Sequence, residues 1–219
     1  EAITATAVVP EGKVFKEWVA VGITLSDAEK TSTTLNFTMP SNDVTLTATL
    51  EGVSYTVSYN ANGGTNAPAS QTKTHGVDLT LTSDIPTRTG YTFEKWTTNE
   101  DGTGDSYLAG ATYTANASVT LYAKWTVVTY AISYNLDGGA VSGTNPTSYT
   151  IESEDITLVN PTKTGFAFTG WTGSNGGTPE MTVVIPNGST GDKGYIANWA
   201  VSTFTISFNA NAVSDGPKT

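Results

Sequence analysis

Hydrophobic and polar residues alternate along much of this chain. In residues 55–59 (YTVSY), aromatic residues and valine occupy every second position and hydroxyl residues lie between them. Residues 79–81 (LTL) and 119–125 (VTLYAKW) alternate in the same way. A β-strand with one buried face requires this period of two. No window shows the 3.6-residue stripe of a helix of ordinary length. The pattern therefore predicts a mainly β protein, at most α+β.

Glycine pairs follow two of the predicted strands. Gly63 and Gly64 come after an asparagine, and Gly138 and Gly139 come after an aspartate. These residues supply the positive-φ positions that a tight β-turn needs. We expect a turn at each pair.

Three phrases recur along the chain. The opening phrase is YTVSYNANGG at 55–64, YAISYNLDGG at 130–139 and FTISFNANAV at 204–213. The middle phrase is GKVFKEW at 12–18, GYTFEKW at 90–96 and GFAFTGW at 165–171. The closing phrase is LTATL at 46–50, LYAKW at 121–125 and YIANW at 195–199. The step between copies is about 75 residues, which indicates a tandem array.

This period divides the chain into four segments. We expect a divergent repeat that lacks its first strand at 1–51, full repeats at 52–127 and 128–201, and the first strand of a truncated further repeat at 202–219. Short connectors between the repeats favour a semi-rigid rod.

The middle phrase places phenylalanine and tryptophan three residues apart. In a regular strand the two side chains would point to opposite faces, so a bulge or a strand end is expected between them if both pack inward. Gly170 would ease such a bulge. A repeat of this size has a small interior, which a few large aromatic residues must fill. The predicted structural core contains Phe15, Trp18, Tyr59, Phe93, Trp96, Trp125, Tyr134, Phe168, Trp171 and Trp199.

Composition and charge narrow the classes of partner. The chain of 219 residues has a formal net charge of -10, no cysteine and one histidine. Its few basic residues are scattered, whereas binding to nucleic acid needs clustered cations, so no nucleic acid is expected as a partner. No apolar run approaches the roughly 20 residues that span a bilayer, so no membrane insertion is expected in this segment.

The recurring phrases resemble a known family. YTVSYNANGG, PTRTGYTFEKW and VTLYAKW are similar to the B repeat of listerial internalins, the Listeria-Bacteroides repeat, and residues 1–50 resemble its divergent version. The resemblance implies a small β-grasp-like module repeated in wall-attached, lipid-anchored or secreted proteins of the bacterial cell surface. It implies no catalytic residue and no cofactor. We expect a non-catalytic spacer or stalk that projects a ligand-binding domain of a surface protein or adhesin. The alternative is that the repeats themselves bind a host surface protein or a glycan.

Few side chains suggest other chemistry. Asp101 and Asp105 are weak candidates for a metal site, because their alternate spacing is loosely that of a calcium loop, but the expected bidentate glutamate is missing. His75 has no counterpart in the other full repeat and is expected to be a surface turn residue. Lys124 and Asn198 occupy equivalent places in successive repeats, so no lysine-asparagine crosslink is expected from them.

The first and last segments suggest self-association. The first repeat lacks an opening strand, and residues 203–210 form an opening strand without a repeat. One molecule could therefore complete another, which would give head-to-tail chains.

Overall fold

The structure is a computed structural model that describes residues 1–207. Two compact units divide the chain, one at Glu1–Thr126 and the other from Val127 onward. Strands dominate both units, and the described residues contain one short helix. The prediction of a mainly β fold is confirmed.

The N-terminal part of the first unit contains two antiparallel strand pairs. β1 pairs with β3 and β2 pairs with β4. The elements are β1 (Ala2–Thr6), β2 (Lys13–Val21), α1 (Asp27–Thr31), β3 (Thr34–Thr38) and β4 (Thr45–Gly52). Within residues 1–207, β4 pairs with β2 alone.

The rest of the first unit contains a five-stranded mixed sheet. The strands of this part are β5 (Ser54–Asn60), β6 (Gln71–Thr74), β7 (Leu79–Thr80), β8 (Tyr91–Thr97), β9 (Ser106–Tyr107), β10 (Thr112–Tyr113) and β11 (Val119–Val127). The order across the sheet is β6-β5-β11-β8-β9, and β7 pairs separately with β10. The first strand β5 and the last strand β11 are parallel neighbours at the centre, which is the β-grasp-like arrangement.

The second unit repeats this plan. Its strands are β12 (Tyr130–Asn135), β13 (Ala140–Val141), β14 (Ser148–Tyr149), β15 (Ile156–Thr157), β16 (Pro161–Thr162), β17 (Phe166–Gly173), β18 (Gly176–Glu180), β19 (Val184–Ile185) and β20 (Lys193–Val201). The sheet order is β14-β12-β20-β17-β18, again with the first and last strands parallel. Two small pairs, β13 with β16 and β15 with β19, lie outside the sheet.

A β-bulge separates phenylalanine from tryptophan in two copies of the middle phrase. The register of β17 against β20 shifts between Phe168 and Gly170. The register of β2 against β4 shifts between Phe15 and Glu17. One extra residue brings both aromatic side chains to the same face. Gly170 has φ +132, a conformation that L side chains rarely adopt. The predicted bulge is confirmed in these two copies.

The truncated repeat predicted at 202–219 lies largely beyond the described part of the chain. Residues 203–207 are exposed and belong to no strand. Residues 208–219 lie outside the described residues, so they include the end of the proposed strand at 203–210 and most of the segment 202–219.

Candidate functional site

An aromatic cluster fills the centre of the first full repeat. The cluster consists of Tyr59, Phe93, Trp96 and Trp125. Trp96 has 0 % of its surface exposed. Its ring centroid lies 4.9 Å from that of Tyr59 and 5.0 Å from that of Phe93, and Trp125 meets Phe93 edge-on at 6.0 Å. Tilted and edge-to-face contacts of this kind are favourable because the ring quadrupoles are complementary.

The second full repeat contains a matching cluster of Tyr134, Phe168, Trp171 and Trp199. Phe168 lies 5.4 Å from Trp171 and 5.5 Å from Trp199 between ring centroids. Tyr134 meets Trp171 edge-on at 6.0 Å. Burial, assisted by the nearby Tyr195, raises the pKa of Tyr134 to about 12.

The divergent repeat has a smaller version of the cluster. Phe15 and Trp18 lie 5.5 Å apart between ring centroids, and Trp18 is buried. The indole N–H of Trp18 donates to the carbonyl of Ser32 at 2.9 Å. The energetic role of the predicted core residues stays a prediction.

The two central tryptophans differ in one hydrogen bond. Trp171 Nε1 donates to Asn160 Oδ1 at 3.0 Å. Trp96 Nε1 is buried, and no hydrogen-bond partner for it exists among residues 1–207. Ile85, which precedes Pro86 as Asn160 precedes Pro161, stands where the second repeat has this acceptor. A buried donor without a partner is unfavourable.

In the first full repeat, the turn at Gly63 and Gly64 packs against Trp125, the tryptophan of the closing phrase. Asn62 and Gly63 have φ +47 and +82, as a tight turn requires. Gly64 has a different role, because a Cβ there would lie 2.6 Å from the Trp125 ring. The indole N–H of Trp125 donates to the carbonyls of Ala61 and Asn62 at 3.0 Å each. The second glycine therefore lets the indole ring lie against the turn.

The same packing of a glycine turn against a tryptophan occurs in the second full repeat. A Cβ on Gly139 would lie 2.4 Å from the Trp199 ring. The indole N–H of Trp199 donates to the carbonyl of Leu136 at 3.2 Å. The opening and closing phrases, more than sixty residues apart in sequence, thus meet in each full repeat.

The first and last strands of each full repeat pair over four residues of each strand. In the first full repeat Val57 faces Val119, and in the second Ile132 faces Lys193. In each full repeat, the side chain of the residue just before the last strand accepts a hydrogen bond from the backbone of the first strand. Ser118 Oγ accepts from the Thr56 N–H at 3.0 Å, and Asp192 Oδ1 accepts from the Ala131 N–H at 2.8 Å.

The weak metal candidates lie in a turn between β8 and β9. Asp101 Oδ1 accepts from the Thr103 hydroxyl at 2.6 Å and from its backbone N–H at 3.0 Å. These hydrogen bonds lower the pKa of Asp101, with the side-chain bond as the larger cause. Asp105 donates its backbone N–H to Thr98 Oγ1. In residues 1–207 no three His, Cys, Asp or Glu side chains come together as a metal site.

His75 lies in a turn after β6, but it is half-buried rather than a surface residue. Its Nδ1 is 3.0 Å from the Tyr55 hydroxyl, and its Nε2 is 3.5 Å from Asn116 Nδ2. Its ring lies against Gly12, where a Cβ would be 2.2 Å from the imidazole. The expectation of a surface residue was wrong because it relied on the missing counterpart, which says nothing about packing against the divergent repeat.

Sequence reasoning missed one buried polar contact. Lys73 has 1 % of its surface exposed, and its Nζ lies 3.1 Å from Asn116 Oδ1. The two residues are 43 apart in sequence. No motif marks them, and only the pairing of β5 with β6 brings them together.

Lys124 and Asn198, for which no crosslink was expected, form noncovalent contacts. Lys124 Nζ lies 3.7 Å from a carboxylate oxygen of Glu94. Asn198 Nδ2 donates to Thr172 Oγ1 at 3.0 Å and to the carbonyl of Gly170 at 3.1 Å. Both residues thus have ordinary structural partners within their own repeats.

Comparison with known families defines the class of this protein. The Listeria-Bacteroides repeat domain matches residues 55–124 and 130–193. The divergent InlB B-repeat domain matches residues 1–54. The chain belongs to the Listeria-Bacteroides repeat family, a repeat family of bacterial surface proteins.

Three relatives share parts of this sequence. A protein named as a Gly-rich membrane protein from Evansella cellulosilytica is 30% identical over 184 residues, which are 82% of this chain and 21% of that protein. A second membrane protein of that organism is 27% identical over 181 residues, 80% of this chain and 25% of its own length. Internalin H of Listeria monocytogenes is 34% identical over 86 residues, 39% of this chain and 15% of its length.

This chain therefore corresponds to a quarter or less of each of these relatives. No solved structure matches it. In residues 1–207, no helix has the length and apolar character needed to cross a membrane.

Proposed function

We propose that these repeats are a non-catalytic extracellular spacer of a bacterial surface protein, and that they hold their fold under tension. Membership in a repeat family of bacterial surface proteins supports the surface location. Wall attachment, lipid anchoring and secretion are all compatible with this proposal. In it, residues 1–51, 52–127 and 128–201 act as successive modules that project a ligand-binding domain from the cell.

The parallel pairing of the first and last strands carries the mechanical part of the proposal. In the second full repeat, β12 begins the repeat and β20 ends it, side by side and in the same direction. Tension on the chain therefore pulls the two strands in opposite directions along their common axis. All hydrogen bonds of the pair are loaded together instead of one after another. Such a sheet resists tension better than one whose terminal strands are peeled apart.

The aromatic residues favour a core role over a sugar-binding role. Trp18, Trp96 and Trp171 are buried. Trp125 and Trp199 are half-buried, and their indole N–H groups donate to backbone carbonyls. A sugar-stacking platform needs an exposed aromatic face, which the buried tryptophans do not offer. Binding of a host protein or glycan by the repeats is therefore the less supported function.

Single-molecule pulling in two directions tests the proposal. The chain has no natural cysteine, so pairs of introduced cysteines define the points of attachment. The variant Thr129→Cys/Val201→Cys pulls β12 and β20 along their axis. The control Thr129→Cys/Thr190→Cys peels the same strands from one end. We expect a clearly higher rupture force in the first geometry. Equal forces would refute the mechanical proposal.

Two further measurements test location and binding. Antibodies against the repeats should label intact cells of the source bacterium, whereas antibodies against a cytosolic enzyme should not. Labelling only after lysis would refute the surface location. Saturable binding of the purified chain to a glycan array or to host surface proteins would replace the spacer function with an adhesive one.

Head-to-tail association is a separate proposal. One edge of β4 has no strand partner within residues 1–207, and residues 203–207 are exposed. The segment 203–210 of one molecule would add to this edge in another molecule. Light scattering of the purified chain should then show a mass that grows with concentration. A constant monomeric mass would refute this association.

A further inference from the structure

Lys73 is unusual among the lysines of this protein. It is 1 % exposed, and its Nζ donates to the Thr74 carbonyl at 3.0 Å and to Asn116 Oδ1 at 3.1 Å. The four ion pairs found in residues 1–207 all involve other lysines. A buried ammonium group without a carboxylate partner is strongly unfavourable. A reaction that converts this group into a neutral one would remove the penalty.

The Asn116 side chain is arranged as an electrophile. The backbone N–H of Gly76 donates to Asn116 Oδ1 at 2.9 Å. A donor in this position stabilises negative charge on the oxygen when a nucleophile attacks the carbonyl carbon. His75 Nε2 lies 3.5 Å from the amide nitrogen Nδ2, and the Tyr55 hydroxyl at 3.0 Å from Nδ1 orients the imidazole.

Lys73 Nζ is close to Asn116 Cγ, the carbon of the Asn116 side chain that a nucleophile would attack. Because a carbonyl C=O bond is about 1.23 Å long, Lys73 Nζ lies within about 4.3 Å of Asn116 Cγ. A small side-chain rotation would bring the two atoms to the roughly 3 to 3.5 Å of a reactive geometry. Asn116 is exposed, so the leaving group has a path to solvent.

We propose that Lys73 and Asn116 form an intramolecular isopeptide bond. Lys73 Nζ gives one proton to solvent and attacks Asn116 Cγ, and the Gly76 N–H stabilises the charge that develops on Oδ1. His75 Nε2 accepts a proton from Nζ and returns it to Nδ2. A bond forms between Nζ and Cγ, the bond between Cγ and Nδ2 breaks, and ammonia leaves. The released ammonia takes up a proton from solvent and becomes ammonium ion, so protons and charge balance, and no atom is oxidised or reduced.

The second full repeat provides an internal comparison. Lys73 faces Tyr55 across the strand pair, and Tyr149 faces Tyr130 at the equivalent place. The Tyr149 hydroxyl donates to the Gly191 carbonyl at 2.5 Å. The nucleophile is thus absent from the second full repeat, and the crosslink belongs to the first.

Intact-mass spectrometry of the denatured chain tests the proposal. We expect a mass lower than the sequence mass by one ammonia. The variants Lys73→Met and Asn116→Ala should each have their full sequence mass, and Lys16→Met, which changes an exposed lysine, should still lose ammonia. Succinimide formation at Asn62 also releases ammonia, but it would persist in Lys73→Met. Persistence of the loss in that variant would therefore overturn the proposal.

Peptide mapping locates the bond directly. After digestion, tandem mass spectrometry should identify a branched peptide that contains Lys73 and Asn116, and trypsin should not cleave after Lys73. Full sequence mass together with cleavage after Lys73, following prolonged incubation of the folded chain, would overturn the proposal. In single-molecule pulling, the crosslink should shorten the chain released by the repeat by about 150 Å, because 43 residues are bypassed.

The role of His75 has its own test. His75→Phe keeps an aromatic ring against the divergent repeat but removes proton transfer. We expect crosslink formation to slow by about 100-fold, which is the lower range for general acid-base catalysis, with the same final mass. An unchanged rate would overturn the role of His75 in the reaction.

Discussion

Replacing each central tryptophan by phenylalanine would measure one buried hydrogen bond. Trp96 and Trp171 are both 0 % exposed and pack against equivalent phenylalanine and tyrosine rings. Trp96→Phe and Trp171→Phe therefore remove similar volumes from similar environments. They differ in polarity, because only Trp171 donates its indole N–H, to Asn160 at 3.0 Å.

The expected difference between the two variants follows from this asymmetry. Trp171→Phe loses a hydrogen bond whose net contribution is about 1 kcal/mol. Trp96→Phe removes a buried donor without a partner, which relieves a desolvation penalty of about 1 to 3 kcal/mol. Trp171→Phe should therefore lower the free energy of unfolding of its repeat by about 2 to 4 kcal/mol more than Trp96→Phe does.

Hydrogen exchange of the full chain, followed by mass spectrometry in increasing urea, can measure each repeat separately through its own peptides. Equal losses of stability in the two variants would refute the reasoning from the hydrogen bond. Trp96→Ala provides the matched test of the core itself and should lower stability by about 3 to 5 kcal/mol. A near-neutral Trp96→Ala would refute the role of this residue in the core.

Changes at Ile85, Gly139 and Tyr134 should each alter the stability of one full repeat. Ile85→Asn should stabilise the first full repeat by about 1 kcal/mol, since it supplies the acceptor that Trp96 lacks, and urea unfolding should show no gain in a Trp96→Phe background. Gly139→Ala should destabilise the second full repeat by about 1 to 3 kcal/mol through collision with the closing tryptophan, while Gly143→Ala, where nothing lies within 4 Å of the added Cβ, should change its melting temperature little. The raised pKa of Tyr134, about 12, favours the protonated folded state. Stability should therefore be full below about pH 10 and fall between about pH 10 and 12, less so in Tyr134→Phe.

Local patterns were sufficient to predict several strands and the bulge. Alternation predicted β5 and β11, and the three-residue spacing of Phe168 and Trp171 predicted the register shift that the structure contains. Both features depend on residues close in sequence, where side-chain direction follows directly from backbone geometry.

The short helix was missed although a signal was present. Ser26 and Glu29 form a capping box, in which each side chain accepts a hydrogen bond from the backbone of the other. This spacing is a recognised start signal for helices. The helix spans five residues, which is too short to show a hydrophobic period.

The Lys73 contact could not be predicted from local patterns. Lys73 reaches Asn116 because β6 pairs with β5 and because the loop before β11 returns to the same end of the sheet. The second full repeat has Tyr149 at this position, so comparing repeats also gave no indication. Long-range pairings of this kind depend on the assembled sheet.

The placement of the first and last strands in one sheet also has an evolutionary consequence. Each five-stranded sheet takes all its strands from a single repeat. A duplication or deletion of one complete repeat therefore leaves the sheets of the remaining repeats intact. Unequal recombination between neighbouring copies could change their number in a gene without creating a partly built domain. Selection could then adjust the number of copies independently of the stability of each one.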